Sequence, residues 1–208
     1  MKISVVMASF LGEYEGCATD RETKFIRAVN SFINNSYQDK ELIIIGDCCS
    51  ITENVVKNVF AEPLSEGLIK FYDFPKKQKL FSGKIRSKGI EMASGDYIMY
   101  LDTDDMYGQN HIKTIVEQIK TQKYDWAYFN DFMYGDSGLA TKYVEVKKDS
   151  IGTSSIVHKK SPSVNWDGCD GYGHDFKFIQ RLLDWSKNYS KLYGASYIIC
   201  HIPNIIDK

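Results

Sequence analysis

The chain of 208 residues has little of several features that mark whole classes of protein. It has no apolar run long enough to cross a bilayer, and its first apolar stretch, residues 3–8, is too short for a secretion signal. Its five cysteines are odd in number and form no CxxC pair, which argues against a zinc site and a disulfide framework and fits a reducing compartment. These absences favour a cytoplasmic protein without a transmembrane segment.

Charge of one sign is also missing, because 26 basic residues balance 27 acidic ones to a formal net charge of −1. Such a balance gives the protein no overall attraction to nucleic acid or to an anionic membrane. The sequence holds no repeats or low-complexity tracts, and only four prolines interrupt it. With this length and a hydrophobic content of 43%, we expect one globular domain over residues 1–208.

What the sequence does contain is an alternation of strand and helix patterns. Strands are predicted at 3–7, 41–45, 68–72, 97–101 and 125–129, and helices at 20–33, 53–60, 84–92 and 110–123. Asp20 is the predicted cap of the first helix. Beyond about residue 132 the pattern loosens into hairpin-like strands, a helix at 174–185 and a last strand near 197–202. This order is typical of an α/β fold with a mainly parallel central sheet.

Three carboxylates follow the fourth predicted strand directly, namely Asp102, Asp104 and Asp105. Like charges this close repel each other, and a bound divalent cation removes the cost of bringing them together. Carboxylate oxygens suit magnesium, manganese or calcium. The alternative is a solvated acidic turn that closes the strand and caps the helix after it.

Candidate ligand-binding residues also follow two other predicted strands. These residues are Ala8, Ser9 and Phe10 after the first strand and Asp47 after the second. Ligands of open α/β sheets bind beyond the carboxyl ends of the strands, so neighbouring strands would bring these residues and the aspartates into one crevice. An aromatic face, a lone carboxylate and a metal-binding pair suit a nucleotide diphosphate. Among the basic residues at 76–88, Arg86 is the candidate for a phosphate contact, whereas the lysines fit a solvated loop.

Four segments, in order, resemble family 2 glycosyltransferases of the GT-A fold. They are SVVMASF at 4–10, FINNSYQDKELIIIGD at 32–47, RSKGIEMASGDYI at 86–98 and LDTDD at 101–105. In that family the last segment is the aspartate-any-aspartate motif. The resemblance implies a single Rossmann-like GT-A domain, with a nucleotide-binding half at 1–105 and an acceptor-side half at 106–208.

The resemblance also implies an activity, the inverting transfer of a sugar from a nucleotide diphosphate donor, commonly a UDP-sugar, with Mn²⁺ or Mg²⁺. The acceptor would be a hydroxyl group of a glycan or a lipid-linked molecule, reached by a protein with at most peripheral membrane association. The implied roles place Ala8, Ser9 and Phe10 around the base, Asp47 in a pair with the base, Arg86 near the base or diphosphate, Asp102 at the ribose or donor sugar, and Asp104 at the metal.

The second half of the chain supplies the remaining implied residues. Asp175 occupies the place of the family's catalytic base, with His174 before it where the family usually has Glu; the alternative role for Asp175 is a helix N-cap. His201 is a candidate metal ligand or else a packed or surface histidine. Trp166 is a candidate for acceptor contact or an ordinary partly buried residue. Residues 130–131 would touch the donor sugar or close a turn.

Two other functions remain open at this point. His174 for Glu, Ser87 for the usual Asn, and GDCC at 46–49 for the usual DDGS would suit a GT-A-like domain that binds a nucleotide sugar or glycan without transferring it. A phosphatase or nucleotidyl-transfer enzyme that uses the aspartates is the third interpretation. It fits less well, because Asp105 rather than Thr follows Asp104.

Overall fold

The computed structural model describes residues 1–79, 81–135 and 138–200. Over these ranges the strands form one sheet of seven strands and one of four. The strands are β1 Ile3–Ser9, β2 Lys40–Gly46, β3 Ile69–Asp73, β4 Tyr97–Tyr100, β5 Met106–Tyr107, β6 Trp126–Tyr128, β7 Asp131–Gly135, β8 Gly138–Lys142, β9 Ile156–Lys159, β10 Tyr189–Lys191 and β11 Tyr197–Ile199. The helices are α1 Arg21–Ile33, α2 Ser50–Val59, α3 Ala61–Ser65, α4 Gly83–Met92, α5 His111–Gln122 and α6 His174–Trp185.

The larger sheet has the strand order β10-β6-β9-β4-β1-β2-β3. Strands β4, β1, β2 and β3 run parallel as direct neighbours, and β9 is antiparallel to both β4 and β6. The predicted α/β fold with a mainly parallel sheet is therefore confirmed. Because β4, β1 and β2 are adjacent, the segments after their carboxyl ends lie side by side.

The central strands are buried because helices cover both faces of the sheet. Every residue of β2 is buried, and so is nearly every residue of β1, as expected for a parallel sheet without a solvated face. One cluster of buried residues contains Val5 and Ile44, and a second on the other face contains Val6 and Ile45. Helix α4 approaches β1 so closely that a Cβ atom on Gly89 would overlap the side chain of Val6.

The first helix forms for the predicted reason and has the predicted N-cap residue, Asp20, but without a capping hydrogen bond from its side chain. Phe25, Val29 and Phe32 of α1 recur at helical spacing and are fully buried. Asp20 has a left-handed backbone conformation, with φ of 49°, and its side chain makes no cap hydrogen bond. The helix is therefore held by the packing of its apolar face rather than by its cap.

In the second half of the chain, the predicted hairpin strands and the predicted helix at 174–185 are present, but the sequence pattern does not predict strand β9. Strand β9 inserts between β4 and β6, although its four residues, IVHK, are too few to show a period. The hairpin of β7 and β8 belongs to the smaller sheet, which has the order β5-β11-β7-β8. The last strand ends at Ile199, and the predicted extension to residue 202 passes beyond the described residues. In the described part of the chain, no helix is both long and apolar enough to span a membrane.

Candidate functional site

A cleft of about 540 Å³ opens at the carboxyl ends of β4, β1 and β2. Eight of the nine site residues predicted from the sequence line this cleft, namely Ala8, Ser9, Phe10, Asp47, Arg86, Asp102, Asp104 and Asp175. The ninth, His201, lies outside the described residues, so its role as a metal ligand stays a prediction. Residues separated by up to 167 positions in the sequence therefore meet at one edge of the sheet.

One end of the cleft combines Phe10 and Asp47 with a loop that sequence reasoning did not assign to the site. The Lys77 ammonium lies 3.4 Å from the centroid of the Phe10 ring. The backbone N–H of Gln78 donates a hydrogen bond of 2.7 Å to Asp47 Oδ1. Burial raises the pKa of Asp47, while the Gln78 hydrogen bond and the charge of Lys77 oppose that rise. The loop thus supplies one donor and one cation beside the aromatic face and the carboxylate.

The acidic loop, residues 102–105, lies at the middle of the cleft and meets Arg86 of α4. Arg86 Nη2 is 3.3 Å from Asp102 Oδ1. Burial raises the pKa of Asp102, and Asp104 and Asp175 raise it further, whereas Arg86 lowers it. Burial is therefore the main cause of the raised pKa of Asp102, and Arg86 opposes it.

Asp105 is the most buried residue of the acidic loop and is only 4% exposed. Its Oδ2 accepts a hydrogen bond of 2.8 Å from the hydroxyl of Tyr197, and its Oδ1 accepts one of 2.7 Å from the N–H of Cys200. Burial and the charges of Asp102 and Asp104 raise its pKa to about 8. The N-cap residue of helix α5 is Asn110, so Asp105 does not cap this helix and instead holds the C-terminal strand through Tyr197 and Cys200.

Asp175 faces the acidic loop from the first turn of α6. The N-cap of this helix is Gly173, so the alternative that Asp175 is the cap is wrong. Asp175 Oδ1 accepts a hydrogen bond of 2.6 Å from Thr153 Oγ1 and lies 2.9 Å from Nε2 of His174. Burial alone would raise the pKa of Asp175, but its contact with His174 and the charge of Arg86 outweigh burial and lower the pKa to about 2. Asp175 is therefore an ionised carboxylate at neutral pH.

His174 is held in place on three sides. Its Nδ1 is 3.1 Å from the carbonyl oxygen of Gly171, and its Nε2 is 3.5 Å from Nη1 of Arg86. Its ring stacks on Phe81 with the ring centroids 5.3 Å apart. The histidine that stands in place of the usual Glu therefore links Arg86 to Asp175.

Three other residues considered from the sequence, Trp166, Asn130 and Asp131, do not line the cleft. Trp166 is fully buried and stacks on Phe178 at 4.0 Å between ring centroids, so its faces are not open to an acceptor. Asn130 Oδ1 accepts a hydrogen bond from the N–H of Val144, and Asp131 is fully buried. These three residues therefore have packing and hydrogen-bonding roles within the protein.

No group of three or more His, Cys, Asp or Glu side chains with the geometry of a metal site occurs in residues 1–79, 81–135 and 138–200. The donor set nevertheless fits a hard cation. Asp102 and Asp104 both line the cleft directly after β4, so both carboxylates can face one bound substrate. Mg²⁺ is usually held by one or two carboxylates together with substrate phosphates, and Asp102 and Asp104 would be the carboxylates here.

Sequence comparison connects the chain to known proteins. A sequence model described as glycosyl transferase family 2 matches residues 17–184. The chain is 21% identical over 195 residues to the minor teichoic acid biosynthesis protein GgaB of Bacillus subtilis (strain 168), a match that covers 85% of this chain and 21% of that protein. It is 27% identical over 152 residues to the poly(ribitol-phosphate) beta-N-acetylglucosaminyltransferase TarP of Staphylococcus aureus (strain N315), covering 71% of this chain and 40% of TarP.

Structural comparison identifies the same fold in a solved structure. S. aureus TarS 1-349 in complex with UDP-GlcNAc matches with a TM-score of 0.74 and 14% sequence identity, covering 96% of this chain and 58% of that one. At this identity the likeness shows the fold alone, and it confirms the predicted GT-A architecture. The chain spans less than two thirds of the length of each of these three proteins.

Proposed function

The chain belongs to glycosyl transferase family 2, and from that premise we propose that it transfers a sugar from a UDP-sugar to a hydroxyl group with inversion at the anomeric carbon. The observation that carries this proposal is the convergence of Asp47, Asp104 and Asp175 on one cleft. A donor-binding carboxylate, a metal-binding carboxylate and a general base have to act on one substrate, so they have to share one opening.

The nucleotide would bind at the end of the cleft that holds Phe10 and Asp47. The Phe10 ring offers a face for the base, and Asp47 offers a carboxylate oxygen to a base N–H. The complex of TarS with UDP-GlcNAc supports a nucleotide sugar as the donor, because TarS shares this fold. Asp102 is then placed to contact the ribose or the donor sugar from the carboxyl end of β4.

The diphosphate would lie over the acidic loop, where Asp104 would hold Mn²⁺ or Mg²⁺ together with phosphate oxygens. When bound, such an ion stabilises the negative charge that develops on the leaving diphosphate. Arg86 lies beside Asp102 and adds a fixed positive charge to the same region. These charges act more strongly on the transition state than on the bound donor, which is the condition for catalysis.

Asp175 would act as the general base. The proton of the acceptor hydroxyl moves to the Asp175 carboxylate, the acceptor oxygen bonds to the anomeric carbon, and the bond between that carbon and the diphosphate breaks with its electron pair leaving on UDP. The low pKa keeps Asp175 ionised at neutral pH, which is the protonation state that a general base needs. A single displacement on the face opposite the leaving group inverts the anomeric configuration.

The acceptor class rests on the relatives. GgaB is a teichoic acid biosynthesis protein and TarP modifies poly(ribitol-phosphate), so we propose a cell-surface polymer or its lipid-linked precursor. Action in the cytoplasm, with peripheral membrane association, remains part of this proposal.

The test is the release of UDP from a panel of UDP-sugars with Mn²⁺, with water as the acceptor. We compare the native chain with Asp175→Asn and with Asp184→Asn, an exposed carboxylate on the same helix. Asp175→Asn should bind the donor normally and lose about 10²–10⁴-fold in turnover, whereas Asp184→Asn should retain activity. Unchanged turnover in Asp175→Asn would remove this residue as the base. A native chain that binds donor but never releases UDP would favour the binding domain without transfer.

A further inference from the structure

The two oxygens of the Asp175 carboxylate have different surroundings. Both polar contacts described above, from Thr153 Oγ1 at 2.6 Å and from His174 Nε2 at 2.9 Å, converge on Oδ1. Oδ2 lies instead beside Gly152, where a Cβ atom would approach it at 3.5 Å. The carboxylate is therefore held through Oδ1, while Oδ2 faces Gly152, which has no side chain.

The Thr153 hydroxyl is itself fixed by a short 3₁₀ helix, Thr153–Ser155. The next two residues of this helix bind a different carboxylate. The hydroxyls of Ser154 and Ser155 donate hydrogen bonds of 2.9 and 2.7 Å to Asp131 Oδ2. Asp131 is fully buried, so it provides an immobile anchor. The turn is thus tied to the protein interior on one side and to Asp175 on the other.

On the basis of the proposed sugar transfer, we propose that Thr153 is a positioning residue for the catalytic base. Its hydroxyl holds Asp175 Oδ1, so that Oδ2 is the oxygen that takes the proton from the acceptor. The same arrangement assigns a role to Gly152, because a side chain there would cover Oδ2. Neither residue lies in the four segments that resemble the family, and both roles follow from the geometry of the cleft.

A matched pair of substitutions tests the hydroxyl separately from the shape of the side chain. Thr153→Val keeps the branched shape and removes the hydrogen-bond donor, and Thr153→Ser removes a methyl group and keeps the donor. With UDP-GlcNAc, Mn²⁺ and water, we expect Thr153→Val to lower kcat about tenfold, which is the effect of one charge-assisted hydrogen bond. The dissociation constant for UDP-GlcNAc should be unchanged in both variants, and Thr153→Ser should restore most of kcat.

A second nucleophile shows whether the defect acts through the base. Azide attacks the anomeric carbon as an anion, so it forms a glycosyl azide and releases UDP without a proton to remove. With azide, Thr153→Val should react as fast as the native chain. If it stays equally slow with azide, or if Thr153→Ser is as slow as Thr153→Val, Thr153 does not act through Asp175 and the proposal is wrong.

Gly152→Ala tests the assignment of Oδ2 without touching Thr153. The backbone at Gly152, with φ of −132° and ψ of −174°, is extended and open to alanine, so this variant should fold. Its methyl group would pack on Oδ2 and lower turnover with water while UDP-GlcNAc binding persists. Full activity in Gly152→Ala would overturn the assignment of Oδ2. A native chain that binds UDP-GlcNAc and reacts with neither water nor azide would instead overturn the proposed function, and this proposal with it.

Discussion

Two buried carboxylates at opposite ends of the same sheet, Glu41 and Asp105, have opposite electrostatic surroundings. At the amino ends of the strands, Glu41 is 1% exposed and its Oε2 lies 2.9 Å from each of the Lys2 and Lys70 ammonium groups. Ser4 Oγ and the N–H of Ser94 donate to its Oε1 at 2.6 Å each. At the carboxyl ends, the charges that act on the pKa of Asp105 belong to two further carboxylates, Asp102 and Asp104.

The pKa values follow these surroundings. Burial would raise the pKa of Glu41, but the hydrogen bonds from Ser4 and Ser94 and the two lysines hold it far below its usual value. Burial and the charges of Asp102 and Asp104 together raise the pKa of Asp105 to about 8. At the amino end of the sheet, Lys2 and Lys70 therefore balance the charge of Glu41 within the protein, and this end has a structural role. The carboxyl end instead brings several carboxylates into one cleft, which suits a site that binds a cation with its substrate.

The largest effect should come from Glu41→Gln. An amide cannot accept from all the surrounding donors at once, so its NH₂ group must face a lysine or a serine donor. Breaking a buried ion pair typically costs about 3–5 kcal/mol, and the partial exposure of both lysines favours the lower value of about 3 kcal/mol. Urea titration measures this loss as a lower free energy of unfolding, and a thermal melt should show a melting temperature about 6–12 °C lower.

Glu91→Gln is the matched control for this substitution. Glu91 is 69% exposed and pairs with Lys88 at 2.8 Å on the surface of α4. An exposed pair of this kind contributes about 0–1 kcal/mol. Equal losses in the two variants would show that burial does not distinguish the amino end of the sheet.

The next effect should be on binding rather than on stability. Asp104→Ala should weaken UDP-sugar binding in Mn²⁺ about tenfold to a hundredfold, or about 2 kcal/mol, because a metal ligand is lost. In EDTA the native chain and the variant should bind equally, as calorimetry or fluorescence titration can show. Asp96→Ala is the control, since Asp96 accepts from the N–H of Lys2 at the opposite end of the sheet. Metal-independent weakening would remove Asp104 as the ligand.

Acid should weaken the fold through the amino end of the sheet. The folded pKa of Glu41 lies below its usual value of 4.5, so its contribution to stability is complete above about pH 4.5 and is lost as pH falls toward the folded pKa. One such group changes the unfolding free energy by at most about 1.4 kcal/mol per pH unit. Between about pH 4.5 and 3.5 we expect the native chain to lose about 1 kcal/mol more than Glu41→Gln. Parallel pH profiles of the two proteins would contradict this assignment.

Sequence reasoning reached the parts of the site that obey simple rules. Apolar runs of strand length predict the parallel sheet. The rule that ligands bind beyond the carboxyl ends of the strands then predicts that Asp47 and Asp104 lie in one crevice. The resemblance to a family then pointed to Asp175. All of these residues line the cleft, as the observed strand order requires.

The parts that sequence reasoning missed depend on contacts without a local signal. Thr153 reaches Asp175 across 22 positions through a 3₁₀ helix of three residues, which is too short to have a period. Lys77 reaches Phe10 from a basic loop for which the sequence favours a solvated surface over a phosphate contact. The pairing of Glu41 with two lysines joins three different strand starts, and nothing in the sequence of β2 distinguishes Glu41 from an exposed residue.

The smallest effect should come from Asp105→Asn, which makes at the carboxyl end the same chemical change that Glu41→Gln makes at the amino end. The amide oxygen can accept from the N–H of Cys200 and the amide NH₂ can donate to the hydroxyl of Tyr197, so both partners can be kept. Because the folded pKa of Asp105 is about 8, above its usual value of 3.8, the acid becomes less favourable to the fold as pH rises between these values. The amide avoids that cost, so urea titration should give a loss under about 1 kcal/mol at pH 6 and no loss at pH 9. A loss as large as that of Glu41→Gln would mean that Asp105 is a paired, stabilising charge, and the contrast between the two ends of the sheet would fail.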